Sequence, residues 1–204
     1  MANFYISDLH LGHKNVIRFD NRPFKDVEEM YQVITDNWNR VVSSGDTVYV
    51  LGDFFWKTEK KWPERLRALA GHKVLIKGNH DLRAFTPEKA ALYDEICEYK
   101  EIMDGDRHVI MCHYPIPFHK RDYDPNYWML YGHVHTTREF QYVEQIRREI
   151  KERYVPDDGR ALGNFINVGC MMPWMNYTPR SIDEIIAGDK EYHETPTRTF
   201  GEIR

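Results

Sequence analysis

The stretch LYGHVHTTRE, residues 130–139, places two histidines on either side of Val134, directly after a glycine and an apolar run. Histidines two positions apart on an extended segment project to the same face, so His133 and His135 can meet a common site while Val134 packs inward. A pair of hydrogen-bonded histidines at a strand end is the alternative, because histidine is often partly buried without any metal. Metal-capable residues elsewhere in the chain have to decide between these two interpretations.

The composition is that of a globular domain. The chain has 204 residues, of which 42% are hydrophobic, enough for the core of a single domain spanning residues 1–204. Its 28 Lys and Arg against 32 Asp and Glu give a net charge of −4, so tight nonspecific binding of nucleic acid is not expected. Three cysteines at unrelated spacings fit a reducing cytoplasm, and neither a signal peptide nor a membrane span is recognisable.

Short apolar runs alternate with helical patterns, which predicts a mixed α/β fold. Buried strands are predicted for the runs NFYIS, TVYVL, KVLIK, HVIMC, YWMLY and NFINV. Helices are predicted over residues 26–43, about 58–70 and about 138–153. Asp26 is the expected N-cap of the first helix, with Glu29 as its capping partner.

Nearly every predicted strand is followed by a side chain that can bind a metal. Since the carboxyl ends of strands in open α/β sheets lie together, these residues are expected to converge. They are Asp8 and His10, then Asp53, then Asn79, His80 and Asp81, then His113, and last His133 and His135. Imidazole, carboxylate and amide oxygen without thiolate suit manganese, iron, zinc, cobalt or nickel better than calcium.

Five motifs in chain order resemble the calcineurin-like metallophosphoesterase superfamily, whose signature runs D-x-H, G-D, G-N-H-[D/E], a lone His and G-H-x-H. Here they read DLH, GDFF, GNHD, CHYP and GHVH. The sequence segments ISDLHLGHKNVI, NRPF and LGDF are most similar to those of small bacterial and phage phosphoesterases. Trp56 stands where the common G-D-x-x-D pattern has its last Asp, which is not a metal ligand in that pattern, so this departure concerns substrate contacts.

The resemblance implies a four-layer α/β/β/α sandwich of two mixed sheets flanked by helices, and two divalent metal ions. Asp8, His10 and His135 would bind one ion. Asn79, His113 and His133 would bind the other, and Asp53 would bridge them. Manganese or iron is favoured, with zinc, nickel and cobalt as alternatives. The region of about residues 138–163 looks like a helical insertion that covers the active-site mouth, forms a dimer contact or lies as a solvated helix on the flank.

The resemblance also implies the reaction, an in-line attack of a metal-bound hydroxide on phosphorus. His80 is the expected general acid, with Asp81 orienting its imidazole, acting as a helix N-cap, or both. His13 and Arg22 are candidate phosphate contacts, against a plain loop histidine and an exposed arginine. Phe54, Phe55 and Trp56 either stack on a nucleobase or pack in the core.

A small phosphoester is the expected substrate, with phosphodiesters ahead of monoesters and a nucleotide as one candidate. A phosphomonoesterase or a nuclease on the same site is the alternative within the fold. A non-catalytic metal-binding scaffold for protein interactions is the alternative from another class, and a mononuclear iron oxygenase is a third. No membrane partner is expected. A homodimer is possible through the insertion or the Met- and Trp-rich segment GCMMPWMNYTPRS.

Overall fold

Apolar runs and amphipathic segments alternate along the chain and form strands and helices in the predicted α/β order. The structure is a computed structural model that describes residues 1–56, 59–81, 86–153 and 163–195. Its strands are Asn3–Ile6 (β1), Thr47–Val50 (β2), His72–Ile76 (β3), Glu95–Cys97 (β4), Tyr99–Asp104 (β5), Arg107–Cys112 (β6), Tyr127–Tyr131 (β7) and Phe165–Asn167 (β8). Its helices are Lys14–Phe19 (α1), Val27–Val41 (α2), Trp62–Arg67 (α3), Pro87–Ala90 (α4), Arg138–Arg153 (α5) and Ile182–Glu194 (α6).

The strands form two four-stranded sheets flanked by helices, which confirms the predicted α/β/β/α sandwich. The first sheet has the order β1-β2-β3-β4 and is parallel throughout, whereas the prediction had both sheets mixed. The second has the order β5-β6-β7-β8, and β5 is its antiparallel member. Parallel strands are covered on both faces, which explains the unbroken apolar runs of β1, β2, β3 and β7.

All six predicted strands are confirmed, and β4 and β5 are strands that the prediction missed. β5 lies at the edge of the second sheet, and its residues alternate between exposed and half-buried positions. An edge strand with one wet face needs no continuous apolar run. The charged residues of the sequence YKEIMD therefore interrupt the apolar pattern by which a strand is predicted.

The predicted helices are present, with differences at their ends. The Asp26 carboxylate caps α2 by accepting the N–H groups of Glu28 and Glu29. The Glu29 carboxylate accepts the N–H of Lys25 at 2.6 Å, one residue before the position that a capping box requires. α3 is shorter than predicted and has Pro at its start. α5 matches its predicted bounds, but residues 154–162 of the predicted insertion lie outside the described residues.

A buried ion pair joins α5 to α6. Arg147 of α5 is buried and donates from Nη1 to Oδ1 of Asp189 in α6 at 2.8 Å. A charge inside a helix pair requires such a partner. α5 is therefore joined to α6 through this ion pair. Among the helices that the structure describes, none has the length and apolar character needed to cross a membrane.

The two sheets meet at the end of β1. Ser7 forms an isolated parallel bridge with Gly169, which follows β8, and the Ser7 carbonyl accepts the N–H of Cys170 at 2.8 Å. In the second sheet, the N–H of Gly132 donates to the carbonyl of His113 at 2.9 Å. The carboxyl ends of β1, β2, β3, β6 and β7 therefore face a single edge of the sandwich.

Candidate metal centre

The seven predicted metal ligands lie together at this edge. Two groups of side chains have ligand atoms within 4.8 Å of one another: Asp8, His10 and His135, and Asp8, Asp53 and His113. Asp8 is common to both groups. The convergence that the sequence predicted therefore exists, and it favours the metal interpretation of the histidine pair over hydrogen-bonded histidines at a strand end.

One half of the site is built around Nε2 of His10. This atom lies 3.1 Å from Nε2 of His135 and 3.5 Å from Oδ2 of Asp53. Nε2 of His135 lies 3.5 Å from Oδ1 of Asp8. Ring nitrogens and carboxylate oxygens thus point at one small volume, which is the donor set that a divalent transition metal prefers.

The other half is built around Oδ1 of Asn79. This oxygen lies 3.1 Å from Nε2 of His113 and 2.9 Å from Nδ1 of His133. Nε2 of His113 lies 3.7 Å from Oδ2 of Asp53, the same oxygen that faces His10 in the first half. Asp53 therefore stands between the two halves, as a bridging ligand would.

The ligands lie on strained backbone. A positive φ angle is rare for residues other than glycine and marks positions that the surrounding structure enforces. It occurs at five of the predicted ligands: Asp8 (57°), His10 (48°), Asp53 (53°), His133 (70°) and His135 (46°). The prediction that His133 and His135 lie on an extended segment is therefore wrong, because both lie on a loop that bends at each of them. Val134 does pack inward, as predicted.

Two motif glycines are required by close packing at the ligands. A Cβ on Gly52, whose φ is +87°, would collide with the His113 ring and with the backbone of Gly78. A Cβ on Gly132 would collide with the side chains of Ser7 and Asp8. The glycine that precedes each ligand therefore lets neighbouring loops approach closely enough to share a site.

The electrostatics of the site favour a bound cation. Burial lowers the pKa of His10 well below its usual range, so the ring is neutral at pH 7 and offers a lone pair. Burial also lowers the pKa of His135, but hydrogen bonds to Asp20 and Asp8 outweigh it and raise the pKa to about 10. Burial alone would raise the pKa of Asp8, yet the hydrogen bond and charge of His135 lower it below its ordinary value. Positive charge is thus stabilised between these groups.

Two of the predicted ligand histidines are oriented by hydrogen bonds at their other ring nitrogen. Nδ1 of His113 lies 2.7 Å from the carbonyl oxygen of Leu51. Nδ1 of His135 lies 2.8 Å from Oδ1 of Asp20. Such partners set the tautomer of a metal-binding imidazole. Sequence reasoning missed Asp20, and its only signal was its place beside the quoted motif NRPF.

The structure places His80 at the rim of the site and corrects the prediction that Asp81 orients the His80 imidazole. The predicted role of Asp81 as a helix N-cap concerns residues 82–85, which lie outside the described residues. The His80 side chain is 42% exposed at the rim, and its Nε2 lies 3.9 Å from Oδ2 of Asp53. Asp81 is buried, and its carboxylate accepts main-chain N–H groups of Asp53 at 2.6 Å, Phe54 at 3.1 Å and Gly78 at 2.9 Å. These bonds hold two ligand loops together, so Asp81 is placed to support the loops and not the His80 imidazole.

Arg22, predicted as a phosphate clamp or an exposed arginine, is buried. Its guanidinium makes five hydrogen bonds, with acceptors on Asp8, Leu9, Asp20 and Met30. The five donors of an arginine are then all used, which leaves none for a phosphate. The clamp prediction is therefore wrong for this conformation.

The predicted aromatic run separates into core and rim. Phe54 and Phe55 are buried and stack on each other, so they belong to the core. Trp56 stacks on the ring of His13, with centroids 3.6 Å apart and planes at 3°. The His13 ring lies 5.7 Å from that of His10. His13 therefore lies at the rim next to the predicted ligand His10, and its contact with substrate stays a prediction.

Two four-stranded sheets with metal-capable donors at a shared edge define a metal-binding α/β sandwich protein. Within that class the chain belongs to the calcineurin-like phosphoesterase family, whose profile matches residues 4–191. The chain is 32% identical over 187 residues to the uncharacterized protein MJ1445 of Methanocaldococcus jannaschii, covering 90% of this chain and 88% of that protein. It is also 39% identical over 85 residues to the gene 66 protein of Mycobacterium phage L5, about two fifths of each chain.

A solved structure extends the similarity. The protein of unknown function AQ665 from Aquifex aeolicus has 28% sequence identity and a TM-score of 0.57, covering 91% of this chain and 97% of that one. Nearly the whole chain is therefore shared with this relative. The family membership confirms the resemblance seen in the five motifs.

Proposed function

We propose that the protein is a dinuclear metal-dependent hydrolase of phosphoester bonds, with phosphodiesters preferred over monoesters. The observation that carries the proposal is the position of Asp53, whose Oδ2 lies 3.5 Å from Nε2 of His10 and 3.7 Å from Nε2 of His113. One carboxylate oxygen thus faces imidazoles from both halves of the site. That arrangement suits two cations that share a ligand.

The donor set fits the implied ions. Asp8, His10 and His135 would hold one ion. Asn79, His113 and His133 would hold the other, and Asp53 would contact both. Nitrogen and oxygen donors without thiolate favour manganese or iron, with zinc, nickel and cobalt as alternatives. Two divalent ions held there would lower the pKa of an attacking water and would bind the phosphoryl oxygens with positive charge.

The charge of the site fits an anionic substrate. Asp8 and Asp53 are buried carboxylates, and the remaining predicted ligands are neutral when they bind a cation. The carboxylates thus offset only part of the charge of two divalent ions. A centre that holds both ions would keep a positive charge and would attract a phosphate ester.

His80 is the proposed proton donor to the leaving group. Its side chain is part exposed beside the predicted ligands, and its main-chain N–H donates to Oδ1 of Asp53 at 2.9 Å. The backbone of His80 is thereby anchored to the proposed bridging carboxylate while its ring reaches the opening. A half-exposed imidazole can exchange protons with solvent between turnovers.

A nucleotide-like substrate is our preferred class of small phosphoester. Tyr114 follows the predicted ligand His113, and its ring packs on that of His133 with centroids 4.7 Å apart while 45% of the residue stays exposed. An exposed aromatic ring fixed beside the metal site can stack on a flat base. The negative net charge of the chain argues against a nuclease that grips long nucleic acid nonspecifically.

Location and assembly are also proposed. Cys97, Cys112 and Cys170 are all unpaired, which suits a reducing cytoplasm. Exposed Tyr142 and Ile146 on α5 provide an apolar surface that a homodimer would cover. Light scattering of the purified protein tests the dimer.

The experiment is a phosphate-ester panel on protein stripped of metal and reloaded with each candidate ion. The panel contains aryl diesters and monoesters, cyclic nucleotides, nucleotides, lipid headgroups and oligonucleotides. We expect diester hydrolysis with manganese or iron, and its loss in Asp53→Asn. Asp36→Asn, on the exposed face of α2, is the matched control. Two bound ions with no hydrolysis of any ester would favour a metal-binding scaffold instead.

A further inference from the structure

The segment Asp20 to Arg22, which the proposed reaction does not use, contacts the metal centre from outside. Both oxygens of the Asp20 carboxylate face Nδ1 of His135, at 2.8 and 3.0 Å. Both side chains are largely buried, at 4% and 14% exposure. A carboxylate in this position is a built part of the site and not a surface ion pair.

Arg22 holds the carboxylate in place. Its Nε and Nη2 donate to Oδ2 of Asp20 at 3.0 and 2.8 Å. The same guanidinium donates to the carbonyl oxygens of Asp8 at 2.9 Å and Leu9 at 2.8 Å. Because the fork of an arginine is planar and rigid, these bonds fix the carboxylate relative to the loop that follows β1.

We propose that Asp20 and Arg22 form a positioning pair. The pair orients Nε2 of His135 toward one of the two proposed metal ions and links this orientation to the main chain of Asp8. The inference rests on the proposed metal centre. It assigns the motif DNRPF a role in metal binding in place of the predicted phosphate contact.

The physical basis is the choice of tautomer and of ring angle. When Asp20 accepts the proton of Nδ1, the Nε2 lone pair of His135 is left to bind a cation. Arg22 also stabilises Asp8, whose φ of 57° is strained, by binding its carbonyl. Two ligands of the same proposed ion, Asp8 and His135, are therefore coupled through one ion pair.

The other half of the site has an independent support. His113 is oriented by the carbonyl of Leu51, and Oδ1 of Asn79 faces both His113 and His133. None of these contacts involves Asp20 or Arg22. Loss of the pair is therefore expected to weaken one ion and leave the other in place.

The test is calorimetric titration of metal-free protein with Mn²⁺. Wild type is expected to bind two ions per chain. Asp20→Ala is expected to lower the affinity of one ion by about 10- to 100-fold and to leave the other unchanged. Asp20→Asn keeps an oxygen that can accept the Nδ1 proton. Its loss of affinity for that ion is therefore expected to be smaller than in Asp20→Ala. Arg22→Lys cannot form the paired hydrogen bonds of a guanidinium. Its loss of affinity is expected to lie between those of Asp20→Ala and Asp20→Asn.

The controls separate positioning from folding. Asp36→Asn is expected to match wild type. The absorption spectrum of the Co²⁺-loaded protein gives a second readout, because a displaced His135 changes the ligand field of one ion only. If Asp20→Ala does not fold, Asp20→Asn must still show the selective change in that spectrum.

The other outcomes overturn either the proposed function or the positioning role. A wild-type protein that binds no ion overturns the proposed function. Wild type that binds two ions, with Asp20→Ala and Asp20→Asn binding both equally well, overturns the positioning role alone. An equal loss of both ions together with a lower melting temperature in all three variants assigns Asp20 to general stability and overturns the positioning role.

Discussion

The main-chain N–H of Asp53 donates to Oδ2 of Asp81 at 2.6 Å. The same carboxylate accepts the N–H of Gly78 at 2.9 Å and that of Phe54 at 3.1 Å. The loop after β2, which carries Asp53, is thereby fixed to the loop after β3. Asp81 therefore stabilises the two loops of the site and does not face the opening, although its neighbour in the sequence, His80, does.

We predict that Asp81→Asn lowers the free energy of unfolding by about 1–3 kcal/mol, because an amide presents one oxygen and one NH₂ group to three N–H donors. Urea denaturation of the metal-free protein measures this loss, with Asp36→Asn as the control. Unchanged stability combined with slow turnover would instead assign Asp81 to the orientation of His80.

If His80 is the proton donor that we propose and not a ligand, His80→Asn is predicted to lower kcat by about 10²- to 10⁴-fold and to leave the metal content unchanged. The loss is expected to be largest for alkyl esters, whose leaving groups need the proton most. Steady-state kinetics on aryl and alkyl diesters, with metal analysis of the same samples, provide the check. A variant that has lost an ion would show that His80 binds metal.

Gly52→Ala is predicted to be more damaging than Gly105→Ala. Both glycines have a positive φ, so both variants carry the cost of about 1–2 kcal/mol for a left-handed alanine. A Cβ on Gly105 meets no atom of the described residues within 4 Å, whereas one on Gly52 collides with the His113 ring. We expect Gly52→Ala to lose about 1–3 kcal/mol more stability and to bind metal poorly. Equal stabilities in thermal denaturation would refute the collision.

The stability contributed by His193 is predicted to fall as the pH rises. A hydrogen bond with Glu144 at 2.9 Å, together with the charge of Asp189, raises the pKa of His193 above its ordinary value. Since this value lies above that of the unfolded chain, about 6.5, the contribution is complete below that pH and is lost as the pH rises through the folded value.

Urea denaturation of wild type and His193→Gln from about pH 5.5 to about pH 9 measures the effect. The difference in stability is expected to be largest at the acid end and to shrink as the pH rises. Glu144→Gln is expected to flatten the same profile, because it removes the strongest partner of the ring. A difference that stays constant across this range would contradict the prediction.

The convergence of the metal-capable side chains could be predicted because they follow strands with apolar runs. β4 and β5 were not predicted. In β5, exposed and half-buried residues alternate at a sheet edge that contacts solvent, so the strand has no continuous apolar run. Backbone conformation at the ligands was not predicted either, because a positive φ at Asp8 or His135 is enforced by neighbouring loops and not by local propensity. The role of Arg22 was predicted wrongly because its hydrogen-bond acceptors include carbonyl oxygens more than ten positions away in the chain.

The amino-acid sequence by itself determined which side chains stand at the ends of the strands, and with them the donor chemistry and the family. Local patterns suffice for this, because a strand and the residues after it are adjacent in the chain. Only the tertiary structure decided how those donors are aimed. Asp20 and His135 are 115 positions apart, and Asp53 and Asp81 are 28 apart. Such contacts exist only after the sheets have packed, since packing sets the distances between loops that the chain leaves far apart.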